Sequence, residues 1–119
     1  MTEAAETEHP YFEMLKSHCA AKPDAVEEHP WGETVYKVRG KIFAFLGSGS
    51  RAAITVKAVP EDLDGLLALP FIERAPYVGR YGWVRVHLRD GEALDFARDL
   101  IDASYDLIAS KSRKRGAAN

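Results

Sequence analysis

Two alternating runs, Thr34–Val38 and Lys41–Leu46, flank the dipeptide Arg39-Gly40. No other feature constrains the fold as tightly. Alternation with period two describes a strand with one buried face, and a two-residue gap ending in glycine closes two such strands into a hairpin. With that turn, Val38 faces Lys41, Tyr36 faces Phe43 and Thr34 faces Phe45. Tyr36, Val38, Phe43 and Phe45 then form the core face, leaving Val35, Lys37, Ile42, Ala44 and Leu46 on the other. His29-Pro30-Trp31-Gly32 reads as the turn leading in, because proline fixes one dihedral and glycine permits the unusual one. Gly47-Ser48-Gly49-Ser50-Arg51 reads as the reversal leading out.

The remaining segments supply partners for this hairpin. A helix is expected over Glu8–Ala21, with Thr7 as its cap and Tyr11, Met14, Leu15, His18 and Cys19 as its buried stripe. Lys22-Pro23-Asp24 ends it. Ala25–Glu28 is a short connector or a small edge strand. Ala53–Val59 reads as a third strand with Ile54, Val56 and Ala58 on one face and Ala53, Thr55 and Lys57 on the other. Pro60 opens a second helix that runs to Leu69, with Leu63, Leu66 and Leu67 inward, and Pro70 stops it. Phe71–Gly82 holds Pro76, Gly79 and Gly82 and reads as a loop or a short strand. Trp83–Leu88 alternates cleanly, with Val84, Val86 and Leu88 in and Trp83, Arg85 and His87 out. Asp90-Gly91 turns into a last helix over Glu92–Ser110, which carries Leu94, Ala97, Ile101, Ser104, Tyr105 and Ile108 on one stripe, widened by Phe96, Leu100 and Leu107. Strand runs flanked by helices indicate an α+β domain, an antiparallel sheet covered by helices on one face.

A chain of 119 residues fits one domain, with residues 1–6 and 113–119 expected as flexible tails. The single cysteine, Cys19, excludes an internal disulfide and a four-cysteine metal site, which suits a reducing cytosol. No apolar run of about 18 residues exists, so no membrane span is expected. The acidic start, Met1–Glu6, does not read as a secretory signal. Net charge is −2, which is unlike a generic nucleic-acid binder, but its distribution is uneven. Residues 1–33 hold 8 acids and 2 bases, whereas 34–60 hold 5 bases (Lys37, Arg39, Lys41, Arg51, Lys57) and no acid. Residues 74–89 add Arg74, Arg80, Arg85 and Arg89, again without an acid. The acids fall in segments that read as helices, so the sheet and its loops are expected to be basic.

Several of these residues together resemble the YjbR/MmcQ family. They are Glu28-His29-Pro30-Trp31-Gly32, Tyr36-Lys37-Val38, Gly40-Lys41-Ile42-Phe43-Ala44, Lys57, Pro60-Glu61, Pro76-Tyr77, Trp83 and Ser104-Tyr105. The resemblance covers residues 9–112. Arg80 stands where members often have lysine, which keeps the charge and changes the donor geometry. The resemblance implies a two-layer α-β(3)-α-β(2)-α fold like that of type III secretion chaperones and CyaY-like proteins, with the fourth strand within Pro76–Tyr81. It also implies a bacterial, double-stranded-DNA-binding protein with no catalytic motif and no cofactor.

The outward sheet face is the candidate site. Lys37, Thr55, Lys57, Trp83, Arg85 and His87 line it, and Arg39 and Lys41 extend it at the hairpin tip. Arg80 joins from far along the chain. Bases there neutralise phosphates, and aromatic groups stack on bases or wedge into a groove. The plain alternative is a solvated face whose long side chains cover Ile42 and Leu46. Trp31 reads as a packing residue of its turn, and Lys111–Arg115 as a basic tail or a helix end that complements the dipole. The four histidines lack metal-ligand spacing. Cys19 has only His18 beside it, and neighbouring helix positions face apart, so no nucleophile pair forms. Glu27 and Glu28 point differently. Gly47–Ser50 lacks the lysine of a phosphate loop. Tyr77, Arg80 and Tyr81 offer an anion contact, but no base or nucleophile joins them.

Three functions follow as expectations: a non-enzymatic DNA-binding protein of weak sequence specificity, a chaperone-like protein-interaction module, and a small-molecule or catalytic role in the groove between the Phe71–Tyr81 loop and the sheet. A monomer or weak dimer is expected overall, and a dimer or client complex if the chain is a chaperone-like module.

Overall fold

The structure is a computed structural model and describes residues 10–46 and 53–117, without the side chains of Trp31 and residues 111–117. In chain order the elements are α1 (Pro10–Ala20), β1 (Ala25–Glu28), β2 (Val35–Val38), β3 (Lys41–Phe45), β4 (Ala53–Lys57), α2 (Leu63–Leu67), β5 (Ile72–Arg74), β6 (Trp83–His87) and α3 (Gly91–Ala117). Short 3-10 turns occupy Pro30–Gly32, Pro60–Asp62 and Gly79–Tyr81. The six strands form one sheet in the order β1-β2-β3-β4-β6-β5, and every pairing is antiparallel. The helices cover one face, which is the α+β, two-layer arrangement expected, with Ala25–Glu28 resolved as an edge strand.

The core lies between that face and the long helix α3. Tyr36, Val38, Phe43, Leu46, Ile54, Val56, Val84 and Val86 from the sheet meet Leu15, Cys19, Ala97 and Ile101 from the helices, all buried. Full burial of each large apolar side chain among them stabilises by about 1.5–3 kcal/mol. Asp90 caps α3, with the Ala93 amide donating to Asp90 Oδ1 at 3.0 Å. That satisfies one of the orphan donors at the helix start.

The hairpin departs from its expected register halfway along. Val38 pairs with Lys41 as expected, and Lys37 with Ile42. A bulge then intervenes, so Tyr36 faces Ala44, not Phe43, and Val35 faces Phe45. The extra residue is Phe43. Beyond it the alternation of β3 is inverted: Ala44 and Leu46 are buried, and Phe45 moves to the outer face against Trp83. One inserted residue exchanges the two faces, because the side-chain period is two.

The bulged residue is held from α3. Ser104 Oγ donates to the Phe43 carbonyl at 2.7 Å and accepts from the Lys57 amide at 3.0 Å. The β3–β4 ladder pairs Ala44 with Val56 and Phe45 with Thr55, and stops there. The serine hydroxyl thus takes the place of the next backbone hydrogen bond, between Lys57 and Phe43. Both backbone groups are satisfied although the strands part.

Other expectations are corrected at smaller scale. The fourth expected strand lies at Ile72–Arg74, and Gly79–Tyr81 within the expected segment is a 3-10 turn. Proline at 76 and glycines at 79 and 82 favour a turn, so pairing uses the stretch before them. The second helix is a 3-10 turn followed by five α-helical residues, with Leu66 its buried residue. In α1 the buried residues are Phe12, Leu15 and Cys19, while Met14 is exposed. The last helix runs past Ser110 to Ala117. Thr7 and Gly47–Arg51 lie outside the described residues.

Candidate nucleic-acid interface

The register places the candidate residues on a map. Lys57 pairs with Trp83, Thr55 with Arg85 and Ala53 with His87, all on the face away from the helices. Phe45 pairs with Thr55, and Val35 with Phe45. One outer row therefore reads Glu28, Val35, Phe45, Thr55, Arg85, Glu73. The next row toward the hairpin turn runs through Val26, Lys37 and Ile42 to Lys57 and Trp83. Lys37 and Lys57 are two strand spacings apart, about 10 Å.

The same end of the sheet gathers the remaining bases. The β2–β3 turn with Arg39 and Lys41, the end of β4, and the start of β6 all lie there. The Ala58 amide donates to the Gly82 carbonyl at 2.9 Å, and the Ala75 amide to the Trp83 carbonyl at 3.0 Å, so the loop carrying Arg80 closes onto that end too. Lys57 Nζ donates to the Tyr81 carbonyl at 2.5 Å. Of the seven residues singled out from sequence, Lys37, Arg39, Lys41, Lys57, Arg80 and Trp83 share this end, and Arg85 lies one row back.

The basic character of the face is weaker than the charge runs suggest. Glu28 and Glu73 sit in the two edge strands, not in helices, and reach onto the outer face. Lys37 Nζ lies 3.0 Å from Glu28 Oε1. Arg85 Nη1 lies 3.8 Å from Glu73 Oε2, which also takes His87 Nε2 at 2.8 Å. Arg39 approaches Asp24 at 3.9 Å. Segments without acids in sequence thus acquire acids in space, because antiparallel pairing brings β1 and β5 alongside them. Lys41 and Arg80 are exposed, and the Arg80 guanidinium lies 5.1 Å from the Tyr81 ring centre.

Aromatic groups interleave with these charges. Phe45 and Trp83 meet edge to face with ring centres 5.6 Å apart, and both are part-exposed. The bulge that sent Phe45 outward is what creates this pair, and no local sequence signal foretells it. Tyr77 and Tyr81 are exposed in the adjoining loop.

At the opposite end, His29 ties the entry turn to the edge strand. Tyr36 Oη donates to Glu27 Oε1 at 2.7 Å, and His29 Nε2 lies 2.7 Å from Glu27 Oε2. The hydrogen bond from Tyr36 holds the Glu27 carboxyl below the usual carboxylate range, with His29 adding to it. Burial and the same bond push the Tyr36 phenol upward. Thr34 Oγ1 is 3.4 Å from His29 Nδ1, a long contact from a buried hydroxyl. Burial also pushes the Cys19 thiol up to about 12, which makes it a packing residue. Among the described residues no three His, Cys, Asp or Glu side chains cluster as a metal site, and no helix is long and apolar enough to cross a membrane.

The fold and the ordered motifs find their counterpart in a family model, YjbR, which matches residues 20–107. The chain belongs to the YjbR family. YjbR-like structures share its architecture. A Deinococcus radiodurans protein, DR2400, with the domain DUF419, superposes with a TM-score of 0.71 at 23% identity, over 84% of this chain and 79% of that one. A Pseudomonas syringae protein superposes with a TM-score of 0.63 at 21% identity, over 81% of this chain and 97% of that one. A comparison with curated proteins gives no match. At this identity the two structures speak for the YjbR fold alone.

Proposed function

We propose that this YjbR-family chain is a non-enzymatic DNA-binding protein that contacts phosphates with the hairpin-turn end of its outer sheet face. The supporting observation is the register: it brings Lys37, Lys57 and Trp83 into one row and sets Arg39, Lys41 and Arg80 at the same end. Bases spread over three strand spacings, about 14 Å, suit a polyanion better than a single small anion. Backbone strain points the same way. Arg39 and Tyr77 have positive φ, and both lie at this end. Such residues cluster where function holds the chain in a costly conformation. Base-edge readout is not required, so specificity is weak.

A chaperone-like role would use a contiguous apolar patch. Among the described residues the exposed large hydrophobic side chains are Met14, Val26, Tyr77 and Tyr81, spread over α1, β1 and the loop before β6.

Fluorescence anisotropy with a labelled mixed-sequence duplex at low and high salt tests the DNA reading. Binding should weaken steeply with salt, and Lys41→Gln with Arg80→Gln should reduce the slope of log K against log salt by about 2. No binding at low salt, or an unchanged slope in the folded double variant, would overturn it.

A further inference from the structure

We propose that the Pro76–Tyr81 loop is a stacking clamp for unpaired bases, so that the site takes single-stranded DNA in preference to duplex. This deepens the DNA reading above and rests on it. Tyr77 leaves 94% of its surface in solvent, and Tyr81 59%. Rings so exposed are not packing residues. Tyr77 also has φ 65, a left-handed backbone that an aromatic residue rarely adopts.

The loop that holds this conformation is tightly built. The Val78 amide donates to the Pro76 carbonyl at 2.6 Å, Gly79 to Ala75 at 3.0 Å, Tyr81 to Val78 at 2.9 Å and Gly82 to Gly79 at 3.0 Å. Arg74 Nη1 donates to the Gly79 carbonyl at 3.3 Å, and Lys57 Nζ caps the Tyr81 carbonyl. Gly79 fits so closely that a Cβ there would stand 3.0 Å from Arg74 Cβ. The outward Tyr77 is therefore imposed by the loop and is not a side chain left loose.

The neighbours decide the ligand. Arg80 lies against Tyr81 at 5.1 Å, and the Phe45–Trp83 pair stands beside Lys57 on the adjoining sheet face. Alternating cations and exposed π faces are what a single strand requires: charge for its phosphates and flat surfaces for its splayed bases. A duplex hides those faces within its stack, so it uses the cations and leaves the rings idle. The outer acids Glu28 and Glu73 stand in the row behind this end, beside Val35 and Arg85.

The test uses the full chain with labelled oligo-dT of about 16 nucleotides and a mixed-sequence duplex of equal length at one salt concentration. Oligo-dT should bind about tenfold tighter than duplex. Tyr77→Ala and Tyr81→Ala should each weaken oligo-dT about tenfold and leave duplex binding within about twofold, on the usual scale of base–aromatic stacking. Tyr77→Gly, which relieves the left-handed strain, should fold at least as well and lose the same affinity. Tyr77→Trp should keep it. Equal affinity for both DNAs, with the tyrosine variants unchanged, overturns the clamp and leaves the phosphate-binding reading standing. Failure of both DNAs to bind at low salt overturns that reading, and the clamp with it.

Discussion

At the scale of single residues, the hairpin tip holds an unexpected arginine. Arg39 and Gly40 have φ 51 and φ 81, which is the type I′ turn that matches strand twist. Its first central position favours asparagine, aspartate or glycine, whose backbones enter the left-handed region easily. An arginine there costs stability, and its pair with Asp24 at 3.9 Å is exposed and weak. Arg39→Asn is thus expected to raise stability by about 0.5–1 kcal/mol in urea denaturation. The same variant should bind DNA more weakly, since it removes one cation from the interface. A loss of stability would show that the Asp24 pair outweighs the backbone cost. Position 39 would then be explained by folding alone.

At the scale of elements, what the sequence reveals depends on whether its cause is local. The hairpin, its turn and its first pair are legible, because alternation and Arg39-Gly40 are local signals. Strands β4 and β6 are legible for the same reason, and their inward and outward residues fall as the alternation predicts. The bulge is not legible, since the serine that bonds the bulged residue's carbonyl is 61 positions away on another element. It sends Phe45 outward, so half of the aromatic pair on the candidate face was hidden from local reading. Ser104→Ala should remove the hydroxyl that joins the Lys57 amide to the Phe43 carbonyl and cost about 2 kcal/mol in urea denaturation. A cost near zero would mean that β3 and β4 close the gap directly. The edge strands carry a second lesson. Lys37 and Arg85 looked unopposed because Glu28 and Glu73 are distant in sequence or lie in a segment read as a loop. Glu28→Gln and Glu73→Gln should raise DNA affinity by freeing those cations, with stability changed by less than about 0.5 kcal/mol, since exposed pairs contribute little. Anisotropy titrations beside thermal melts separate the two effects, and unchanged affinity would remove Lys37 and Arg85 from the interface.

At the scale of the molecule, the two faces of the sheet divide the work. The covered face carries the core, and α1 is locked to α3 by polar contacts at its rim. His18 Nε2 lies 2.7 Å from Asp102 Oδ1, Lys22 Nζ 2.5 Å from the same oxygen, and Tyr105 Oη donates to the Pro23 carbonyl at 2.6 Å. Burial works against the Asp102 carboxylate, but hydrogen bonds from Lys22 and His18 prevail and hold its carboxyl below the usual range. A depressed carboxyl contributes stability above its unfolded value of about 3.8 and loses it as pH falls through the folded one. Asp102→Asn should therefore be less stable near neutrality and show a flatter acid limb in pH-dependent denaturation. The opposite slope would place the locking charge elsewhere. The open face, by contrast, carries cations, edge acids and exposed rings, and we propose that its hairpin-turn end meets DNA. Backbone amide NMR during titration with a short DNA tests this contact residue by residue. Shifts are expected at Lys37, Arg39–Lys41, Lys57 and Tyr77–Arg85, with α1 and α3 unmoved. Shifts confined to the helical face, or none at low salt, would contradict it.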